Sequence, residues 1–543
     1  MTAASAPWWR DAVVYQVYLR SFADADGDGI GDLAGLCARL DHLTELGVDA
    51  VWIGPWYPSP MADGGYDVAC YRDVDPLFGT LEDARRLIAD AHARGVRVIL
   101  DLVANHSSDR HPWFQAAVAA PPGSPERDRY FFRDGRGPGG DAPPNDWPSV
   151  FGGPAWTRVT GADGRLGQWY LHLFAPEQPD FNWGNAEVAR EFDDIIRFWL
   201  DLGLDGLRVD AAPAFVKDPS LRDLGSVPDG AFAPGHWQDV PFWDLDGVHD
   251  IFRRWRAITD EYPGDRVLVG EIIVNGAQRL ARYLRPGHLH QAFNTDFLAA
   301  PWDAAALRTT IDATLAALAP VGAPPTWVLS NHDETRHVTR YGRTDTAARL
   351  PGLSQEQPPD LALGTRRARA AVLLMLALPG SVYVYQGEEL GLWDVEDLPE
   401  DVLEDPLWRR SGGTVRGRDG CRVPLPWSGQ QPPFGFGPAG SWLPQPGGWR
   451  DLTVAAQAED AQSMLGLYRR AIAARRELGR SEGELRWNAA PAGVLDFTRP
   501  GSGLRCVTNL SGAARPVTGA VRLASAPLED GRLPSDASAW RVG

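Results

Sequence analysis

Hydrophobic positions along the chain fall into short continuous runs, separated by longer stretches in which apolar residues recur every three or four positions. Runs that are apolar on both faces predict strands of a buried parallel sheet, and the three-and-four spacing predicts amphipathic helices packed over it. Eight strands are expected, at residues 13–18, 48–54, 96–103, 204–211, 267–271, 291–294, 327–331 and 382–386. After the first, Leu33, Leu36, Leu40, Leu43 and Leu46 share one helical face, and Gly47 supplies a stop. Further helices are expected near 81–94, 186–202, 248–261, 304–318 and 365–378. Eight strand–helix repeats of this kind predict an α/β fold, a (β/α)8 TIM barrel.

Two stretches break the repeat. Residues 106–184 are rich in Pro, Gly, Asp and aromatics, too long for a structureless loop, and read as a subdomain inserted after strand 3 at the barrel mouth. A second irregular stretch, 387–457, follows strand 8. After a helix near 461–476, short β-like runs at 494–497, 504–509 and 520–523 predict a C-terminal antiparallel β-sandwich. The expected organisation is a catalytic barrel from 1–105 and 185–478, an inserted subdomain at 106–184, and the sandwich at 479–543.

Composition narrows the partners. A formal net charge of −18 over 543 residues disfavours nucleic acid and anionic membrane surfaces. No apolar run approaches the ~20 residues that span a bilayer, and the first residues show no basic region followed by an apolar one, so a cytoplasmic protein is expected. Cys37, Cys70, Cys421 and Cys506 have neither CxxC pairing nor metal-ligand spacing, and read as reduced thiols. Lys217 is the single lysine, so Schiff-base chemistry would rest on that one residue.

The chemistry concentrates at strand ends. Arg208 and Asp210, two apart, share a strand face. A guanidinium beside a buried carboxylate holds it ionised, as a covalent glycosidase needs of its nucleophile. Alone, Arg-x-Asp reads as a structural ion pair. Asp101, Glu271 and Asp333, which end or nearly end three other strands, overturn that. Apolar flanks should desolvate Glu271 and raise its pKa, suiting a general acid. Asn105 and His106 reach the same rim, and His332 adjoins Asp333.

The segments Asp101–His106, Gly203–Ala211, Leu268–Glu271 and Leu329–Asp333 resemble, in order and position, the motifs of the α-amylase family of retaining glycoside hydrolases. The likeness covers nearly the whole chain. Gln178-Pro179-Asp180-Phe181-Asn182-Trp183 and Gly65-Tyr66-Asp67 resemble the branch of oligo-1,6-glucosidases and α-glucosidases. The resemblance implies Asp210 as nucleophile, Glu271 as acid/base and Asp333 as transition-state stabiliser, with the first two about 5–5.5 Å apart. It implies substrate contacts from Tyr66, Asp67, Asp101, His106, Arg208 and His332. An arginine should complete the grip on a terminal glucose, and Arg418 and Arg422 are both open candidates, because Arg422-Val-Pro-Leu-Pro-Trp departs from the branch's usual Arg-Thr-Pro-Met-Gln-Trp.

These features imply an exo-acting α-glucosidase acting on maltose and short malto-oligosaccharides. Ala211, where α-1,6-acting relatives usually carry valine, suggests an α-1,4 preference. A transglucosylase or trehalose-synthase-like isomerase would use the same carboxylates with another acceptor. A non-catalytic binding relative would show lost carboxylates and an anchor, and this chain shows neither. Asp24, Asp26, Asp28 and Asp32 lie at loop positions 1, 3, 5 and 9, but position 12 is Gly35 where an EF-hand has glutamate. Clustered oxygens of this kind suit a hard cation. The loop resembles the branch's calcium- or magnesium-binding loop, with Ile30 offering its carbonyl, and the implied ion is structural. No organic cofactor is expected, the partner is a small oligosaccharide or α-glucoside, and the protein should be a monomer or homodimer.

Overall fold

The computed structural model describes residues 6–161, 164–225, 239–347, 358–478 and 484–542. The eight barrel strands, in chain order, are Val13–Val17, Ala50–Ile53, Arg97–Leu102, Gly206–Val209, Val267–Gly270, Gln291–Ala292, Thr326–Val328 and Ser381–Tyr385. They form one parallel sheet in which each strand except the sixth pairs with the next in the series and the eighth pairs with the first. The last seam, between strands six and seven, is bridged by the Asn294 amide donating to the Thr326 carbonyl at 3.0 Å.

Alternation along each strand sorts the side chains into two layers. Val14, Trp52, Ile99, Val267, Val269, Val328 and Tyr383 form one apolar cluster, which fills the barrel interior. Their neighbours, among them Val13, Val51, Val98, Leu100, Leu207, Leu268 and Val382, belong to the larger core beneath the helices. Register then decides where the charged groups go. Asp101 pairs with Arg208, and Arg208 with Val269. Asp101 and Glu271 each lie two residues beyond an interior residue, Ile99 and Val269, so both continue the inner face at the carboxyl ends of their strands.

The helices at Ala186–Leu202 and Ala304–Leu318 occupy the spans that periodicity predicts. The first predicted helix is two, Leu33–Ala38 and Leu40–Leu46. The chain leaves helical geometry at Arg39 (φ −112°, ψ 7°), whose guanidinium lies 4.5 Å from the centre of the Trp427 ring. The helix expected at 365–378 begins earlier, at Leu361, because the Asp360 carboxylate accepts from the Leu363 amide and caps it there.

The 106–184 stretch contains a three-stranded antiparallel sheet of Phe132–Arg133, Leu166–Leu171 and Trp156–Thr160. The tail forms a five-stranded antiparallel sheet. Trp540 and Ser538 donate from it to the Leu373 and Ala370 carbonyls of the Leu361–Ala377 helix. A two-stranded antiparallel pair, Arg515–Pro516 with Arg532–Leu533, accompanies that sheet. Position 479 lies outside the described residues.

Candidate active site

A cavity of about 890 Å³, including its open mouth, lies at the carboxyl ends of the strands. Asp63, Tyr66, His106, Asp210, Glu271, Asp333, Glu334 and Arg418 supply its polar lining, and Phe151, Phe174, Trp243 and Ile273 are among its apolar walls. Six of the residues expected at the site therefore face it: Tyr66, His106, Asp210, Glu271, Asp333 and Arg418.

Arg208 is the electrostatic centre of the lower layer. Its Nη1 lies 2.7 Å from both Asp101 Oδ1 and Asp210 Oδ1, and its Nη2 lies 3.1 Å from Glu271 Oε2. The Ala211 amide also donates to Glu271 Oε2, at 2.9 Å. The expectation that Arg208 holds Asp210 readily ionised is corrected. Burial pushes the Asp210 carboxyl well above its usual range, Arg208 opposes this, and Glu271 and Asp101 add to the rise.

Asp101 was expected to touch substrate, but it lies fully buried beneath the cavity. Trp52 Nε1 and the Tyr66 hydroxyl donate to its Oδ2 at 3.0 and 3.2 Å. Burial lifts its pKa to about 6 against the pull of Arg208. Arg208 and His332 are likewise behind the lining. The His332 ring stacks on Tyr66 (centroids 5.3 Å apart, planes at 16°), and its Nε2 lies 2.5 Å from the Tyr66 hydroxyl and 3.2 Å from Asp333 Oδ2. Gln16 Nε2 donates to Nδ1, which leaves the ring proton on Nε2. Burial depresses the pKa of His332 to about 3 and that of His106 to about 4, so both rings are neutral.

Asp67 does not reach the cavity. Its carboxylate accepts from the Ser59 hydroxyl and the Ala62 and Asp63 amides, and so ties its own loop together. Asp63, which sequence reasoning missed, takes the lining position. Gly64 and Gly65 (φ +58° and +105°) turn the chain between Asp63 and Tyr66 so that both side chains enter the cavity. A Cβ on Gly64 would stand 2.6 Å from the Tyr18 hydroxyl. The available signal was the spacing Asp-Gly-Gly-Tyr, in which glycines permit such a turn.

The two arginine candidates separate. Arg418 reaches Asp63 at 2.6 Å, Asp333 at 2.9 Å and Asp405 at 2.6 Å, and lies over the Phe151 ring. Arg422 sits deeper, bound to Asp333 Oδ1 (2.8 Å) and the His332 carbonyl (2.8 Å). Burial would raise the Asp333 carboxyl, but His332, Arg418 and Arg422 outweigh it and hold it well below the usual carboxylate range. Glu334 takes the opposite course. Burial, with Asp333 and Glu271 nearby, lifts it to about 8 against the pull of Arg340.

In the candidate metal loop, carboxylate oxygens of Asp24, Asp26 and Asp28 come within 4.8 Å of one another, a donor set that fits a hard cation. Asp32 is outside that cluster. Its Oδ1 caps the Leu33–Ala38 helix through the Gly35 amide, and its Oδ2 accepts from the Ala25 and Asp26 amides. Ile30 donates its amide to Asp28 Oδ1. All four cysteines are free thiols. Among the described residues, no helix is long and apolar enough to cross a membrane.

Comparison with known proteins agrees with this geometry. The model of the α-amylase catalytic domain matches residues 16–480. A probable α-glucosidase of Rhizobium meliloti is 38% identical over 528 residues, covering 93% of this chain and 90% of its own. An oligo-1,6-glucosidase of Parageobacillus thermoglucosidasius is 33% identical over 503 residues, covering 87% and 84%. Among solved structures, the α-glucosyl transfer enzyme XgtA superposes with a TM-score of 0.84 at 36% identity over 99% of this chain and 100% of its own. Isomaltulose synthase from Erwinia rhapontici gives 0.85 at 29% identity, covering 99% of each chain. With a barrel whose strand ends carry this carboxylate set, and with relatives alike over nearly its full length, the chain belongs to the α-amylase family and is a glycoside hydrolase.

Proposed function

We propose that this glycoside hydrolase is an exo-acting α-glucosidase that removes one terminal glucose from short α-glucosides, maltose and malto-oligosaccharides first, with retention of configuration. The observation that carries this reading is the Arg418 clamp. It lines the cavity that Asp210 and Glu271 face and ties together Asp63, Asp333 and Asp405, which supports a pocket closed at that end against any sugar extending beyond its far hydroxyls.

The chemistry follows from how the oxygens are held. Arg208 occupies Asp210 Oδ1, which leaves Oδ2 to attack the anomeric carbon. Ala211 N–H and Arg208 occupy Glu271 Oε2, so Oε1 carries the proton to the glycosidic oxygen as that bond breaks. Asp210 Oδ2 bonds to the anomeric carbon as the bond to the leaving oxygen breaks, and Glu271, having given up its proton, is left as a carboxylate. Water then gives its proton to Glu271, its oxygen bonds to the anomeric carbon, and the Asp210 ester bond breaks. Asp333, kept anionic by His332 and two arginines, stabilises the oxocarbenium-like charge. Tyr66 and His106 line the glucose end. Asp24, Asp26 and Asp28 would hold a structural calcium or magnesium ion, which would brace their loop and take no part in the reaction.

Transfer of glucose to an alcohol or sugar in place of water is the second reading. Ala211, Trp243 and Ile273 line the cavity, and Trp243 Nε1 binds the Ile273 carbonyl two residues beyond Glu271, so an apolar wall stands beside the acid/base. Proton NMR of maltose hydrolysis tests the main proposal. Newly released glucose from the non-reducing end should be the α-anomer, and Asp210→Asn should abolish its release. β-Glucose formed first from the non-reducing end, or an active Asp210→Asn protein, would overturn it.

A further inference from the structure

Lys217 is the single lysine among 53 lysine and arginine residues. A composition this biased toward arginine keeps an ammonium where a guanidinium cannot do the same job. Lys217 is buried in the chain just after Asp210, outside the cavity lining, so Schiff-base chemistry with substrate is not open to it. Its Nζ lies 2.6 Å from Asp180 Oδ2 and donates to Asn105 Oδ1 at 2.7 Å and to the Ala214 carbonyl. These three partners come from separate pieces of the molecule: the 106–184 stretch, the end of the third strand and the turn that follows Asp210 and Ala211. An ammonium can point three donors at three converging oxygens, whereas the planar fork of arginine spreads its donors in one plane.

A consequence reaches the cavity. Lysine can only donate, so the Asn105 atom facing it is the carbonyl oxygen, and Asn105 Nδ2 faces His106 Nδ1 at 3.1 Å. That amide donates, so Nδ1 accepts, and the ring proton of His106 is on Nε2, 3.0 Å from the Tyr66 carbonyl; Gln178 Nε2, also 3.0 Å from Nε2, directs its hydrogens to Asp63 Oδ2 and the Tyr66 carbonyl. Burial favours the neutral amine on Lys217 and Asp180 opposes this.

We propose that Lys217 is a positioning residue, one ammonium that sets both the turn carrying Asp210 and the tautomer of His106. The proposal rests on the α-glucosidase reading of the cavity. A purely structural cation would affect stability alone, so the test separates the two. Lys217→Met leaves Asp180 buried without its cation. Lys217→Met with Asp180→Asn removes both charges and keeps an acceptor for the Leu173 amide, which Asp180 Oδ1 holds at 3.0 Å. The double variant should regain much of the Tm lost by the single one, while kcat on an α-glucoside stays about 10–100-fold down, with KM moved less, as misplacement of reacting groups predicts. Lys217→Arg should keep the charge without restoring kcat. Histidine-selective ¹⁵N spectra of the wild-type protein should show the His106 proton on Nε2. Wild-type kcat in the folded double variant or in Lys217→Arg would overturn the proposal, as would a wild-type His106 protonated on Nδ1. A wild-type protein inert toward α-glucosides would instead sink the underlying reading, and the His106 spectrum would still test the tautomer.

Discussion

Replacing Arg208 by glutamine removes the one cation among the described residues that touches Asp101, Asp210 and Glu271 together. With Nη1 2.7 Å from Asp210 Oδ1, the charge centres lie about 4 Å apart, and at an effective dielectric of about 20 that pair interacts by about 4 kcal/mol. A loss of that size would raise a carboxyl pKa by about 3. Arg208 is shared among three carboxylates and glutamine still donates, so a rise of about 1–2 in the acid limb is the expected outcome. The assay is kcat/KM on an aryl α-glucoside from pH 4 to 9, which reports the free enzyme. Stability gives an independent reading. Asp101 titrates near 6 in the fold against 3.8 for an ordinary aspartate, so the native state keeps its proton longer and stability falls as pH rises between those values. Without Arg208 that window extends upward. The Tm deficit of the variant should be small at pH 5 and grow toward pH 8, where about 3–5 kcal/mol is typical for a broken buried pair. A folded variant with an unmoved acid limb and a pH-independent Tm deficit would refute the reasoning.

The other expectations are simpler. Asp63→Ala should lower kcat/KM on maltose by about 10–100-fold, from loss of a charge-assisted hydrogen bond, and should lower Tm as well, because the buried Arg418 and Gln178 donors lose their acceptor. Asp67→Ala should cost about 2–4 kcal/mol in denaturant titrations because three donors lose their acceptor, with kcat/KM lowered less than in Asp63→Ala; a larger loss of kcat/KM than in Asp63→Ala would restore Asp67 to the cavity. Chelation should lower Tm, reversibly on adding calcium or magnesium, with kcat unchanged well below the transition; a Tm indifferent to chelator would count against the Asp24–Asp26–Asp28 site. Ala211→Val should cost about 1–2 kcal/mol, because Ala211 has φ +41°, a region that β-branched residues avoid. It should also lower activity on maltose more than on isomaltose, and an unchanged ratio would remove Ala211 from the linkage argument.

Much of the fold was legible because its signals are local. Val98, Leu100 and Leu102 alternate with Ile99 and Asp101, and that alternation predicts a strand and its two faces whatever packs around it. Asp210 and Glu271 were legible for the same reason, as residues at the ends of such runs. The division of the first helix at Arg39 was not, since Trp427, which receives that guanidinium, lies almost 400 residues away in sequence. Nor was the balance at Asp210. Arg208 is a sequence neighbour, but Glu271 and Asp101, which work against it, arrive by strand pairing.

By itself, then, the sequence determined the order of strands and helices and which acids stand at strand ends, because hydrophobic period and short motifs are properties of a few adjacent residues. The tertiary structure alone decided which polar groups face the cavity. Asp63 rather than Asp67 lines it, Arg418 rather than Arg422 meets Asp63 across 355 residues of chain, and Lys217 gathers three distant oxygens. The physical reason is that a loop side chain takes its direction from the partners that satisfy its charge. In a barrel those partners come from other strands' loops, which only the closed fold brings together.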